Sequence, residues 1–244
     1  MPPNLLVFSA HAADFCSRAG GTIAKAASQG CRAHVVDVTF GELGESPKAW
    51  AERPAPPVDE VKERRRRESE EAAAILGCTI EFLDFGDNPL ILTEERQQRL
   101  FEILVRISPD VVLTHWWNEP LNRDHATLAN AVLDAAHFLR SGGRVPDHEL
   151  RRYPQILFFE PTVPFTDMVG FHPSQYVDIS GVWERKVRAL EALSSQPELV
   201  RDYSLYSAYR AAQARGVSGR QEVSQAEAFV RFQPLVADPW DFAD

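Results

Sequence analysis

The sequence predicts an α/β fold in which a mostly parallel, Rossmann-like sheet carries helices on both faces. Short apolar runs alternate along the chain with longer segments of helical periodicity, which is the order that βαβ units produce. Polar clusters follow several of these runs directly, as is typical of sites at the carboxyl ends of parallel strands. The 244 residues fit one large domain, and we expect a single domain over 1–244, although two small domains would also fit this length.

Each element has its own local signals. The predicted strands are the apolar runs 4–8, 33–40, 80–82, 110–114, 156–159 and 176–179. The predicted helices are 18–30, 58–77, 93–107, 124–140, 181–195 and 198–214. Gly30 and Gly77 are typical helix C-termini, and Thr93 is a typical N-cap. The segment 41–57 is rich in glycine, proline and charge, which predicts a loop.

Composition narrows the classes of function. The net charge of −9 argues against general nucleic-acid binding, and the basic run 62–67 is interleaved with glutamates, which favours an exposed helix face. No apolar run reaches about 18 residues, so we expect no membrane span. The N-terminus has no basic region typical of a signal peptide. Three cysteines without CxxC spacing predict reduced thiols and a cytoplasmic location.

A metal site is predicted where polar residues follow the first and fourth strands. His11 and Asp14 are three residues apart in a turn, so both can reach one ion, and the third ligand must come from elsewhere. His125 is preferred because it opens a helix next to Asp124, whereas His115 is expected to support a ligand or face the substrate. Three protein ligands and a water are typical of catalytic zinc. The residues alone leave open a capping aspartate beside a surface histidine.

Motifs in matching order resemble the PIG-L/LmbE-like family of zinc-dependent N-deacetylases and their relatives over nearly the full length. The motifs are Ala10-His11-Ala12-Ala13-Asp14, Arg65-Arg66 with Glu68 before AAAILG, Asp124-His125, and Gly219-Arg220 before Ala226–Phe229. The resemblance implies His11, Asp14 and His125 as ligands of zinc or another divalent ion. It also implies self-association into a homo-oligomer.

One position departs from the deacetylases. Their HPDD motif carries, as its first aspartate, the general base beside the metal-bound water, and here that position is Ala13. Loss of such a base costs about 10²–10⁴-fold in rate unless another group replaces it. The chain is therefore either an inactive homologue or an enzyme that performs a different reaction with the same metal.

A second branch of the family, the metal-dependent 4-oxalomesaconate hydratases of aromatic-acid catabolism, is more similar. The shared residues are HxADF at 11–15, the loop Gly41–Ser46 with Lys48 and Trp50, Gly86-Asp87 with Pro89-Leu90, the LTH strand end at 113–115, Phe159–Pro161, and Asp178, Ile179, Val182, Trp183 and Lys186. This resemblance implies Glu45 as an acid/base residue, although Glu42 competes for that role or anchors the loop. It also implies a histidine where Thr162 stands. His172, ten residues further on, either re-enters the pocket or lies on the surface.

A polyanionic substrate needs cationic partners, and arginine binds carboxylates through a planar fork. The candidates are Arg18, Arg66 and Arg220, each of which could instead form a surface ion pair. Asn122 could donate a hydrogen bond to the substrate or cap the helix that follows. Asp124 is expected to orient the neighbouring His125 or to take part in catalysis.

Three functions compete on this basis. The first is a metal-dependent hydratase that adds water to an unsaturated oxo-carboxylate such as 4-oxalomesaconate. The second is a zinc-dependent deacetylase of an N-acetyl sugar or related amide. The third is a non-enzymatic, metal-binding homologue. The first implies a small anionic substrate and no nucleic-acid or membrane partner.

Overall fold

The computed structural model describes residues 2–141, 143, 153–162 and 167–234. Within these residues, no helix combines the length and the apolar character that crossing a membrane requires. The strands are β1 (Asn4–Ser9), β2 (Arg32–Asp37), β3 (Thr79–Phe82), β4 (Val111–Thr114), β5 (Gln155–Phe159), β6 (Gln175–Asp178) and β7 (Ala226–Arg231). The helices are α1 (Asp14–Ser28), α2 (Pro47–Ala51), α3 (Val58–Leu76), α4 (Glu94–Ile107), α5 (Arg123–Phe138), α6 (Trp183–Ala192) and α7 (Leu199–Ser218).

All seven strands form one sheet in the order β3-β2-β1-β4-β5-β7-β6. The strands from β3 to β5 are parallel, whereas β7 runs antiparallel to both of its neighbours. The predicted α/β fold with a mostly parallel sheet is confirmed. From β1, the chain adds β2 and β3 on one side of the sheet and then β4 and β5 on the other. At such a switch point, between β1 and β4, a crevice opens at the carboxyl ends of the strands.

The core lies on both faces of this sheet. Along β1, Leu6 and Phe8 belong to one buried apolar cluster, while Leu5 and Val7 belong to the other. This alternation follows from the two-residue repeat of a strand. Side chains of α4 and α5 cover the first face, and side chains of α1, α3 and α6 cover the second. With both faces of β1 covered, the strand ends remain as the place for polar groups.

Strand β7 was not predicted from the sequence, where residues 226–229 stood out only as a motif. A strand pattern is hard to see there because Glu227 is charged but buried. Its carboxylate accepts hydrogen bonds from the backbone N–H groups of Gly21 and Thr22 at 2.8 and 2.7 Å. It also pairs with the buried ammonium of Lys186 at 2.7 Å. Tertiary partners therefore stabilise a residue that strand propensity disfavours.

Two adjacent glycines of α1 differ in their surroundings. A Cβ added to Gly21 would lie 2.6–2.8 Å from three side-chain atoms of Ile179, a separation that real Cβ atoms do not show. A Cβ added to Gly20 would meet its nearest atom at 3.5 Å, which is ordinary contact. Close packing of α1 against the segment before α6 therefore requires glycine at position 21 and not at position 20.

We expect Gly21→Ala to lower the free energy of unfolding by about 1–3 kcal/mol, because the new methyl group overpacks a buried contact. The matched variant Gly20→Ala should leave it unchanged or raise it by up to about 1 kcal/mol, through the higher helix propensity of alanine. Urea unfolding followed by circular dichroism measures both. Equal effects of the two substitutions would contradict the close contact with Ile179.

Candidate metal centre

Three side chains meet at the switch point between β1 and β4. His11 lies in the turn after β1, Asp14 opens α1, and His125 lies in the first turn of α5. His11 Nδ1 is 3.1 Å from Asp14 Oδ2 and 3.2 Å from His125 Nε2, and the last two atoms are 3.2 Å apart. The three atoms thus form a nearly equilateral triangle, named the ligand triangle below.

The chemistry of the triangle fits a divalent cation. His125 Nδ1 lies 2.9 Å from Glu119 Oε2, and His11 Nε2 lies 3.3 Å from Asp124 Oδ2. When these two nitrogens donate their protons to the carboxylates, the nitrogens that face each other present lone pairs. In tetrahedral zinc sites with bonds of about 2.0–2.1 Å, two ligand atoms are about 3.3 Å apart. The triangle has nearly this size.

The electrostatic field of the site also favours a cation. Burial acts to lower the pKa of His11, but the carboxylates of Glu45, Asp124 and Asp14 raise it well above its ordinary value. Burial opposes ionisation of Asp14 too, yet the neighbouring histidines His125, His115 and His11 hold its pKa well below the usual range. The site therefore combines an ionised Asp14 with imidazoles in a negative electrostatic field. Such a site binds positive charge, either as protons or as a metal ion.

Arg18 binds the carboxylate oxygen of Asp14 that is not part of the ligand triangle. Its Nε donates to Asp14 Oδ1 at 3.2 Å, while the backbone N–H of His11 donates to Oδ2 at 3.0 Å. The guanidinium is buried and also donates to the carbonyl of Glu160 and to Thr162 Oγ1. From the sequence, Arg18 was a candidate for binding substrate. In the structure this arginine instead forms an ion pair that orients a candidate ligand.

Glu119 is a candidate site residue that the sequence did not predict. It is buried, and its second oxygen accepts a hydrogen bond from the backbone N–H of Thr162 at 2.8 Å. Ligating histidines commonly donate their other N–H to a carboxylate, which fixes the ring. That rule calls for an acid near His125, but nothing in the sequence singles out Glu119. Only the folded loop after β4 brings it against the imidazole.

Asp124 supports His11 and not its neighbour His125. Its carboxylate accepts hydrogen bonds from the backbone N–H groups of Asn88 and Leu90, both at 2.8 Å. Burial acts to raise its pKa, but the bonds to His11 and to these amides lower the pKa to about 2. Asp124 is therefore anionic and orients His11, so the expectation that it orients the adjacent histidine is corrected.

His115 stacks on His125 with ring centroids 3.9 Å apart. Its Nε2 accepts a hydrogen bond from the backbone N–H of Ala10 at 2.9 Å, and burial together with the charge of His125 lowers its pKa well below the ordinary value. Two groups of described side chains could hold an ion: the ligand triangle with Glu45 beside it, and the group of His115, Glu119 and His125. The ligand triangle is the better site for catalysis, because His11 lines the cleft whereas His115, Glu119 and His125 are buried and are not among its lining residues.

The loop after β2 brings Glu45 to the open side of the ligand triangle. Glu45 Oε1 lies 3.2 Å from His11 Nδ1 and 3.8 Å from His125 Nε2. It accepts a hydrogen bond from Asn122 Nδ2 at 2.9 Å, and the side chain is 20% exposed. Asn122 stands at the N-cap position of α5, but its side chain does not cap the helix. Of the two roles that the sequence left open, capping is not formed, and the amide binds Glu45 at the site instead.

This loop is fixed by its own contacts. Gly41 has φ +66°, and a Cβ there would approach the Cβ of His11 to 3.1 Å, so the position requires glycine. Asp87 accepts hydrogen bonds from the backbone N–H groups of Leu43 and Gly44 at 2.9 and 2.7 Å. Glu42 is buried and accepts from the N–H of Phe40. Of the two loop glutamates, Glu42 anchors the loop and Glu45 faces the site.

A cleft of about 440 Å³ leads to the triangle. Its polar lining includes His11, Glu45, Asp87, Asn122, Arg123 and Asp124. Ala13, by contrast, is only 2% exposed and packs in the apolar cluster under α1. Position 13 therefore supplies no carboxylate to the site. Apart from the candidate ligand Asp14, the carboxylate beside the triangle atoms is that of Glu45.

Three residues expected at the site are not brought to it. Arg66 binds Glu63 and Glu70 on the outer face of α3. Arg220 is 57% exposed and pairs with Asp178 and Glu222. His172 is exposed and is not among the described side chains whose ligand atoms cluster within 4.8 Å of one another. The two arginines are thus held by ion pairs outside the site, local ones for Arg66 and one long-range pair for Arg220.

A ligand triangle at the crevice of a parallel sheet, reached by an open cleft, defines a metal-dependent α/β enzyme. Residues 6–136 match the family described as GlcNAc-PI de-N-acetylase, or PIG-L. The chain belongs to the PIG-L family.

Relatives of known activity are similar over most of the chain. The 4-oxalmesaconate hydratase of Pseudomonas putida KT2440 is 34% identical over 96% of this chain and 91% of that protein. The crystal structure of GalB, the 4-carboxy-2-hydroxymuconate hydratase from Pseudomonas putida KT2440, has a TM-score of 0.91 at 34% identity and covers 97% of this chain and 98% of that one. The diacetylchitobiose deacetylase of Thermococcus kodakarensis is 29% identical over 79% of this chain and 70% of that protein.

We expect Glu119→Gln to weaken zinc binding by about 10- to 100-fold, because His125 loses the anionic partner that fixes its ring. Competition with a chromophoric chelator measures the dissociation constant. Glu102→Gln, which removes an exposed carboxylate of α4, is the matched control. Identical dissociation constants for the two variants would show that Glu119 does not support a ligand.

Proposed function

We propose that this protein is a metal-dependent hydratase that adds water to an unsaturated oxo-carboxylate such as 4-oxalomesaconate. One observation carries the proposal: the carboxylate beside the ligand triangle is Glu45 of the β2 loop, while the position of the deacetylase base is the buried Ala13. The similarity to hydratases over nearly the whole chain supports the same reaction class.

His11, Asp14 and His125 are the proposed ligands. Their two nitrogens and one oxygen suit zinc, although other divalent ions also bind such a set. A bound divalent ion polarises a substrate oxygen and acidifies water. Arg18, Glu119 and Asp124 each hold one ligand in place through the contacts described above.

Glu45 is the proposed base. Its carboxylate faces the cleft at the open side of the triangle, where it can accept a proton from the attacking water. The amide of Asn122 donates to Oε1 and so fixes the orientation of the carboxylate. The neutral His115, buried behind His125, keeps that ring in place by stacking. The acid/base role of His172 stays a prediction without a supporting contact.

The substrate is proposed to be small and anionic. We also propose that the protein forms a homo-oligomer, which light scattering tests, and that it acts in the cytoplasm. The free cysteines Cys16, Cys31 and Cys78 agree with a reducing compartment. Cell fractionation tests the location.

We expect purified protein to contain zinc and to consume 4-oxalomesaconate without releasing acetate from N-acetylglucosamine derivatives. His125→Ala should lose both the metal and the activity, because a ligand is removed. Glu45→Gln should keep the metal and lose about 10²–10⁴-fold in kcat, because the base is removed. Metal analysis, absorbance of the conjugated acid and an acetate assay measure these outcomes.

Each contrary result has a distinct meaning. Acetate release would replace the hydratase by the deacetylase function, with another group in place of the missing base. Metal without turnover on either substrate would favour a non-enzymatic, metal-binding role. Loss of metal from Glu45→Gln would make Glu45 a ligand and overturn its role as base.

A further inference from the structure

The cleft that leads to the ligand triangle is strongly acidic. Its described lining carries the carboxylates of Glu45, Asp87 and Asp124, with Asp14 immediately behind. A substrate with several carboxylates would be repelled by these groups at close range, even with a divalent cation present. A cationic side chain in the lining is therefore needed for a polyanion to bind with its charges satisfied.

Arg123 is the one arginine or lysine in this lining, counting the residues that the structure describes. It is the first residue of α5 and stands directly before Asp124 and two positions before His125. The backbone at Arg123 is thus fixed relative to the ligand triangle by two residues of that site. Its side chain is exposed, so the guanidinium is accessible from solvent.

The guanidinium of Arg123 also has its donors available. Across residues 2–141, 143, 153–162 and 167–234, no hydrogen bond or ion pair involves it. The arginines expected from the sequence differ in this respect. Arg18 is bound to Asp14, Arg66 to Glu63 and Glu70, and Arg220 to Asp178 and Glu222.

We propose that Arg123 binds a carboxylate of the substrate and so selects di- or tricarboxylates over neutral molecules that could reach the same metal. This role rests on the proposed hydratase function for its substrate. The planar fork of arginine matches a carboxylate through two parallel hydrogen bonds. Arg123 is a specificity-determining residue, which binds the end of the substrate away from the metal and takes no part in proton transfer.

Arg123→Gln tests the proposal in the metal-loaded enzyme. We expect KM for the conjugated tricarboxylate to rise about 10- to 50-fold, in the range of a charge-assisted hydrogen bond, with kcat and metal content nearly unchanged. Arg123→Lys keeps the charge and loses the planar fork, so its KM should lie between those of the wild type and Arg123→Gln. Raising the ionic strength should raise KM for the wild type more than for Arg123→Gln. Arg99→Gln, an exposed arginine of α4 outside the cleft, is the control and should match the wild type.

Binding of tricarballylate, an unreactive tricarboxylate, separates this proposal from the hydratase function. Calorimetry should detect binding to the wild type and a loss of about 10-fold or more in Arg123→Gln. If the wild type hydrates nothing but this difference appears, the hydratase function fails and the carboxylate site stands. If the wild type hydrates the substrate and Arg123→Gln has unchanged KM and tricarballylate affinity, the role of Arg123 is overturned. A fall in kcat at constant KM would overturn it as well.

Discussion

Two imidazole nitrogens and one carboxylate oxygen lie 3.1–3.2 Å apart at the centre of the site. In the tautomers whose other nitrogens donate to Glu119 and Asp124, the lone pairs of these three atoms face one another. Such an arrangement is repulsive unless positive charge lies between the atoms. Either protons or a metal ion can supply that charge, and the surrounding carboxylates stabilise both. The rest of the site consists of groups that hold these three atoms against their mutual repulsion.

These supporting groups come from separate parts of the chain. Asp124 ties His11 to the segment after β3, and Glu119 ties His125 to Thr162 after β5. Arg18 joins Asp14 to that same segment after β5. Connections between distant segments become rigid only when the sheet is complete, so assembly of the site depends on the whole fold. Metal binding should in turn stabilise the fold, because the unfolded chain has no preformed triangle.

Local patterns of sequence were sufficient for six of the seven described strands and for proposing a set of metal ligands. Short apolar runs mark buried parallel strands, and the rule that polar residues gather at their carboxyl ends places His11, Asp14 and His125 together. The resemblance to the PIG-L family implies the same three ligands. The strand β7 escaped detection because the burial of Glu227 depends on partners in α1 and α6.

The remaining misses have a similar cause. Arg18 and Arg66 pair with carboxylates three or four residues away, and such local ion pairs were an open alternative for both. The role of Arg123 was not visible in the sequence, because the cleft that it lines is built from segments far apart along the chain. Glu119 acts only through a loop that folds back on His125. Sequence patterns report which face of an element is buried, whereas the direction and partner of a long polar side chain are set by tertiary contacts.

The central claim is that His11, Asp14 and His125 hold one divalent cation. Anomalous diffraction at the zinc absorption edge, from crystals grown with zinc, tests it most directly. The expected result is a peak bound by His11 Nδ1, Asp14 Oδ2 and His125 Nε2 together. A peak between His115, Glu119 and His125, or no peak at either group, would contradict the claim.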